Sequence, residues 1–297
     1  MPVADPYSSY GLRKFLSHLL PRQVRRSLRS VADDVQEATF RLHELPPRNL
    51  RLSISPAWFD FRKTGRDQME FFTELAGLRP SHRFLDIACG VGRLAIPLTH
   101  FLDREGSYEG FDVNAPSIEW CTRNISSAHR NFRFTVADVK TDVSPTARHT
   151  ANDYVFPYKD SSFDFAYAGS IFTHLLPDGS RNYLQQTSRV LRPGGRVVAT
   201  WNVYNKDLGS LITEAADIAG KYWPYEHGDY RVWDKEHPET NVAYDVLLIR
   251  QLYADAGLEI VEPFRGDASY SPARIPRLRS PGMHLYHTLS VIAVRQQ

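Results

Sequence analysis

Phe84-Leu85-Asp86-Ile87-Ala88-Cys89-Gly90-Val91-Gly92-Arg93-Leu94-Ala95 is the stretch on which the fold turns. A short apolar run carries an acid near its end, two glycines follow, and a helix-forming sequence resumes. Glycines let the backbone approach a ligand closely, and a helix that follows them opens with unpaired N–H groups. Asp112 stands twenty residues after Gly92, at the end of the next apolar run. An acid there can accept hydrogen bonds from ribose hydroxyls. The glycine pattern alone is weak. Strand, turn, helix and acid in register make a strong signal for a nucleoside-containing ligand.

Outward from this stretch, the apolar pattern predicts strands over Ser107–Val113, Phe132–Ala137, Phe163–Ala168 and Arg196–Trp201, with Phe84–Ala88 as the first. Late strands are expected near Leu258–Pro263 and Leu289–Val294. Helices are expected over Gly65–Leu78, Gly92–Phe101, Ser117–Ser127 and Arg181–Leu191. Strands alternating with helices point to an α/β fold, a parallel sheet covered on both faces. Pro97 falls inside the expected Gly92–Phe101 helix, where it should forfeit one backbone bond and kink it. Tyr204–Tyr244 breaks the alternation and reads as an insertion dense in aromatics: Tyr222, Trp223, Tyr225, Tyr230 and Trp233. It suits either a cover that stacks on sugar rings or flat molecules, or an extra packed subdomain.

The chain has 297 residues, 42% apolar and 24% charged, an ordinary balance for a globular protein with a sizeable core. Disorder over most of its length is excluded, and no apolar run approaches the roughly 18 residues of a membrane span. A formal charge of +2 gives no global case for a nucleic-acid partner. Cys89 and Cys121 are too few for a disulfide framework or a thiolate zinc site. They suggest a reducing compartment and, with no secretory h-region at the start, a cytoplasmic location. Residues 1–45 form a basic segment with Arg13, Lys14, Arg22, Arg25, Arg26 and Arg29 and two amphipathic helical patterns broken by Pro21. Its basic face is either solvated or a peripheral contact with a membrane surface or an anionic substrate. Leu45-Pro46-Pro47-Arg48 reads as the linker to a main domain over 46–297.

Asp86 separates the possible cofactors. A carboxylate near the end of a doubly buried strand is costly without a partner. A nicotinamide dinucleotide would set a pyrophosphate against it, whereas S-adenosyl-L-methionine presents an α-ammonium. A bond to the turn's own N–H groups is the alternative. The spacings Asp86 to Asp112 and Asp112 to Asp138 are both 26 residues, one strand-helix unit, which places all three acids at one sheet edge.

Five segments in order give the chain a resemblance to class I S-adenosylmethionine-dependent methyltransferases. They are Leu85-Asp86 with Gly90 and Gly92, Gly110-Phe111-Asp112-Val113, Ala137-Asp138-Val139, Phe163-Asp164-Phe165-Ala166 with Ser170-Ile171-Phe172-Thr173-His174-Leu175, and Ser188 to Gly195. The resemblance implies a Rossmann-like doubly wound sheet of about seven strands, mostly parallel with an antiparallel late strand. It implies that Ala88, Gly90, Gly92 and Arg93 pass under the methionine part with Asp86 nearby. Asp112 and Val113 would hold the ribose, Asp138 and Val139 would read the adenine edge, and Gly169 and Ser170 would line the methionine end. Cys89 occupies a place given to small residues and more naturally packs than reacts. The connection from Arg265 to Thr288, with Arg274, Arg277 and Arg279, is longer and more basic than the family pattern.

A hydroxyl acceptor must lose a proton, and His174 is the residue placed to take it, since imidazole titrates near ~6.5. An orienting or structural role is its alternative. Relatives with the Ser-Ile-Phe-Thr-His string resemble enzymes of bacterial polysaccharide, glycolipid and secondary-metabolite pathways. On that analogy the expected reaction is O-methylation of a small-molecule acceptor such as a sugar or glycolipid. N- or C-methylation, a non-catalytic cofactor-binding protein and an NAD(P)-dependent oxidoreductase are the competing readings. No Asn/Asp-Pro-Pro-aromatic string follows the fourth strand, which argues against a nucleic-acid methyltransferase. Some sugar methyltransferases use Mg²⁺; acids here could supply ligands, but no spacing demands a metal. Oligomeric state is open, a homodimer included.

Overall fold

A computed structural model describes residues 45–54, 60–204, 223–266 and 288–296. From Pro47 onward they belong to one compact unit. The expected basic helices of residues 1–44, residues 205–222 of the insertion and residues 267–287 of the basic connection lie outside the described residues. No helix among the described residues is long and apolar enough to cross a membrane.

The elements are α1 (Arg48–Ile54), α2 (Phe61–Glu74), β1 (Arg83–Ile87), α3 (Ala95–Phe101), β2 (Ser107–Asp112) and α4 (Ala115–Cys121), which runs into a π-helical turn over Thr122–Ser126. There follow β3 (Phe132–Val136), β4 (Phe163–Ala168), α5 (Pro177–Val190), β5 (Leu191–Asn202), β6 (Tyr225–Glu226), β7 (Tyr230–Val232), β8 (Val242–Tyr244), α6 (Val246–Asp255), β9 (Leu258–Gly266) and β10 (Thr288–Arg295). Seven strands form one sheet in the order β3-β2-β1-β4-β5-β10-β9, and β10 runs antiparallel to both neighbours. The chain reverses its direction of winding between β1 and β4. In open α/β sheets that switch point is where ligands bind.

Both faces of the sheet are apolar, as a doubly covered sheet requires. Leu85, Ile87, Phe111, Ala166 and Trp201 pack on one side. Phe84, Tyr108, Phe165, Tyr167 and Val198 pack on the other, beneath α2 and α3. The expected strands are present with ends shifted by a few residues, and β5 starts five residues early.

Two helices escaped the sequence reading, α1 and α6. In α6 the signal was available: Asp245 accepts from Leu247 N–H at 2.7 Å as an N-cap, and Val246, Ile249, Leu252 and Tyr253 form one buried face. The kink expected at Pro97 does not arise. The glycine turn runs on to Leu94, so α3 starts at Ala95 and Pro97 sits in its first turn. A missing N–H costs nothing there.

Gly92 shows why that turn needs glycine. Its φ is +76°, and an added Cβ would lie 3.0 Å from Cys121 Sγ and 3.1 Å from Ile125 Cδ1. Gly92→Ala is expected to destabilise the fold by about 1–3 kcal/mol through strain and overpacking. A denaturation midpoint equal to that of the parent protein would contradict this.

Candidate active site

The ends of β1 and β4 carry an unusual backbone. Ala88, Gly90 and Gly92 after β1, and Ser170 after β4, all have left-handed φ, at 61°, 55°, 76° and 59°. For Ala88 and Ser170 this costs roughly 1–2 kcal/mol each, a strain that persists where the surroundings fix it. Ser170 is fixed: its N–H donates to Thr200 Oγ1 at 2.7 Å, and its carbonyl accepts from Thr173 Oγ1 at 2.7 Å. At Gly169 an added Cβ would meet the Tyr167 ring at 2.5 Å, so no larger residue fits the strand end.

Beyond these strand ends lies a cleft of about 510 Å³, within the size range of small-molecule sites. Ala88, Asp112, Val113, Val139 and His174 of the expected residues line it, with Ile171, Leu175 and Tyr183 as apolar wall. Asp86, Gly90, Gly92, Arg93, Asp138, Gly169 and Ser170 are not on that wall. The polar part of the lining that sequence reasoning missed comes from the loop after β3, through Lys140, Thr141 and Asp142, and from Glu239 of the insertion.

The three acids have three different environments. Asp112 is half-buried. Its Oδ2 accepts from Gly90 N–H and its Oδ1 from Asn114 N–H, both at 2.8 Å. Burial pushes its carboxyl up, and these backbone donors pull against it. It thus ties the glycine turn to the start of α4 and still has lone pairs for a ligand. Asp138 is spent on the loop that follows it: Arg148 donates from its backbone N–H at 3.0 Å and from Nε at 2.6 Å. Those bonds hold its carboxyl below the usual range.

Asp86 is buried under the turn, where Tyr108 donates its hydroxyl to Oδ2 at 2.7 Å. Burial lifts its carboxyl from 3.8 to about 7, against the Tyr108 bond and the Arg93 charge. A raised folded value means the native state holds the proton more tightly than the unfolded chain. Stability from this group is therefore full below pH ~4 and is lost as pH rises towards ~7, by at most on the order of 4 kcal/mol. Asp86→Asn keeps an acceptor for Tyr108 and removes the titration. The variant is expected to melt above the parent at pH 8 and with it below pH ~4. A melting difference independent of pH would contradict this account.

The insertion is joined to the site. β6, β7 and β8 form a small antiparallel sheet whose Val242 N–H donates to Thr173 O at 2.8 Å. Tyr244 donates its hydroxyl to Leu175 O at 2.5 Å, and Asn241 Oδ1 accepts from both Asn202 at 2.8 Å and Trp223 at 2.9 Å. Val232, Val242 and Tyr244 are part of the core beneath α5. The exposed His174 ring meets the same segment, its Nδ1 lying 3.2 Å from Glu239 O. Among the described residues no group of three or more His, Cys, Asp or Glu could hold a metal ion.

Residues 84–195 match the family model described as a methyltransferase domain. Over that stretch the chain is similar to a methyltransferase domain, and its sheet has the fold of such enzymes. Its fold is similar to that of a solved S-adenosylmethionine-dependent methyltransferase from Methanosarcina mazei, at TM-score 0.50 and 20% identity, over 74% of this chain and 94% of that one. In sequence it is 29% identical over 198 residues to a phthiotriol/phenolphthiotriol dimycocerosates methyltransferase of Mycobacterium ulcerans, covering 64% of this chain and 60% of the relative. It is 23% identical over 234 residues to a demethylmenaquinone methyltransferase of Shouchella clausii, covering 77% and 88%. The chain therefore matches less than two thirds of the first relative's length. None of these comparisons favours the nicotinamide alternative.

S-adenosylmethionine is the cofactor of such a domain, and the cleft fits it. The volume suits a nucleoside, an acid lines the cleft at the end of β2, and Val113 and Val139 are part of its apolar lining.

Proposed function

We propose that this protein is an S-adenosylmethionine-dependent methyltransferase that methylates a hydroxyl of a small molecule, of the sugar or glycolipid kind. The observation that carries this reading is one cleft with Asp112 on one wall and an imidazole, His174, on another. When bound, S-adenosylmethionine supplies a methyl group already activated on a sulfonium. The chain then has three tasks: to grip the nucleoside, to align the acceptor and to exclude water.

In this proposal Asp112 accepts from the ribose diol, and Val113 and Val139 sandwich the base. The turn of Ala88, Gly90, Gly92 and Arg93, with Gly169 and Ser170 opposite, shapes the methionine end, and buried Asp86 faces it from below. Asp138 reaches the adenine edge by exchanging its bonds to Arg148; otherwise the backbone of Val139 reads that edge. His174 takes the acceptor's proton, and the 223–244 sheet covers the acceptor. The first relative is named for phthiotriol and phenolphthiotriol dimycocerosates, and the triol in that name agrees with a hydroxyl acceptor. The second is named for demethylmenaquinone, and a quinone-type acceptor methylated at nitrogen or carbon is the second reading.

Incubation with methyl-labelled S-adenosylmethionine and separate sugar, glycolipid and quinone pools tests the proposal. Label in an alkali-stable ether of the first two pools is the expected result. Label only in the quinone pool would establish the second reading, and none in any pool would defeat both.

A further inference from the structure

The contact between His174 and the insertion fixes more than position. A main-chain carbonyl has no hydrogen, so the hydrogen shared by His174 Nδ1 and Glu239 O at 3.2 Å belongs to the ring. A neutral imidazole with its proton on Nδ1 carries its lone pair on Nε2. We propose that the insertion holds His174 as the Nδ1–H tautomer, with the main chain of Glu239 as the positioning group and Nε2 left as the proton acceptor in the cleft. This deepens the methyltransferase reading and rests on it for what the base acts upon.

Both partners are held. The His174 N–H donates to Ile171 O at 2.9 Å, and Val242 N–H pins the neighbouring Thr173 from the other side. Glu239 O projects from a 3₁₀ turn over Pro238–Thr240, closed by Thr240 N–H to His237 O at 3.0 Å. The titratable groups that share the cleft with the ring are Glu239, Asp142, Lys140, Asp112 and Tyr183. Burial and Asp142 raise the Glu239 carboxyl, and His174 lowers it. In the transfer, the hydroxyl oxygen's electron pair forms the new C–O bond while the C–S pair stays on sulfur. The hydroxyl proton passes to Nε2. The ring becomes an imidazolium with Nδ1–H still bonded to Glu239 O.

The test is long-range ¹H–¹⁵N correlation on the full chain labelled at histidine, at mildly basic pH, with His174 assigned by the signals lost in His174→Gln. The Nδ1–H pattern is expected. An Nε2–H pattern, or the averaged pattern of a free ring, would overturn the proposal. Pro238→Gly, which loosens the turn carrying Glu239 O, is expected to move the His174 signals towards the averaged pattern. Unchanged signals in that variant would remove the turn from the positioning role. S-adenosylhomocysteine titrated into the same labelled sample separates the two levels. Failure to bind would sink the methyltransferase reading and leave the tautomer result standing.

Discussion

Asp112→Ala is expected to weaken S-adenosylhomocysteine binding between tenfold and a hundredfold, measured by isothermal titration. A hydrogen bond to a charged group contributes about 1.5–3 kcal/mol, which is that range of affinity. The geometry adds a second route to the same loss. Asp112 also accepts the Gly90 and Asn114 N–H groups, so truncation leaves two backbone donors without their partner and loosens the turn. The two routes separate in a coupling cycle with a product analogue lacking the ribose hydroxyls. If Asp112 grips the diol, the parent protein loses affinity for the analogue and the variant is indifferent to the change. If Asp112 only braces the turn, both proteins lose the same factor. Affinity unchanged in the variant would remove Asp112 from the site altogether.

The parts of this fold that were legible are those that local chemistry dictates. Short, mostly apolar runs bounded by turn signals, such as Phe163–Ala168, read as strands buried on both faces. The left-handed φ at Gly90 and Gly92 follows from a tight strand-to-helix turn. Asp86 and Asp112 do fall at the C-terminal ends of β1 and β2, and Asp138 lies two residues beyond β3. What their carboxylates touch was not legible, because each partner sits elsewhere in the chain. Tyr108 reaches Asp86 from the neighbouring strand, and Arg148 folds back on Asp138 across a ten-residue loop. The Pro97 expectation failed for a related reason. A helix boundary depends on how far the preceding turn extends, and only the packing of Gly92 on Cys121 and Ile125 settles that. The insertion was visible as a break in the alternation, but its attachment was not. Val242 meets Thr173, and Glu239 meets His174 at a separation of 65 residues, through main-chain atoms that no side-chain pattern reports. The residues that close the cleft around His174 were therefore the hardest to read.

His174→Ala is expected to lower turnover by about 10²- to 10⁴-fold, the usual contribution of a positioned general base, while S-adenosylhomocysteine affinity stays within threefold. The split between the two quantities is the decisive feature. His174 is exposed at the cleft, and among the described residues its ring hydrogen-bonds to the insertion, so removing it leaves the bonds of Asp112 and the glycine turn untouched. A purely structural role gives a different signature: the link to Glu239 would be lost, the 223–244 sheet would loosen, and the melting temperature would fall together with turnover. A base also leaves a chemical mark: imidazole added to the alanine variant should restore part of its rate. Retained turnover would take His174 out of the chemistry. Turnover lost in step with cofactor affinity would mean instead that the ring shapes the cofactor side of the cleft.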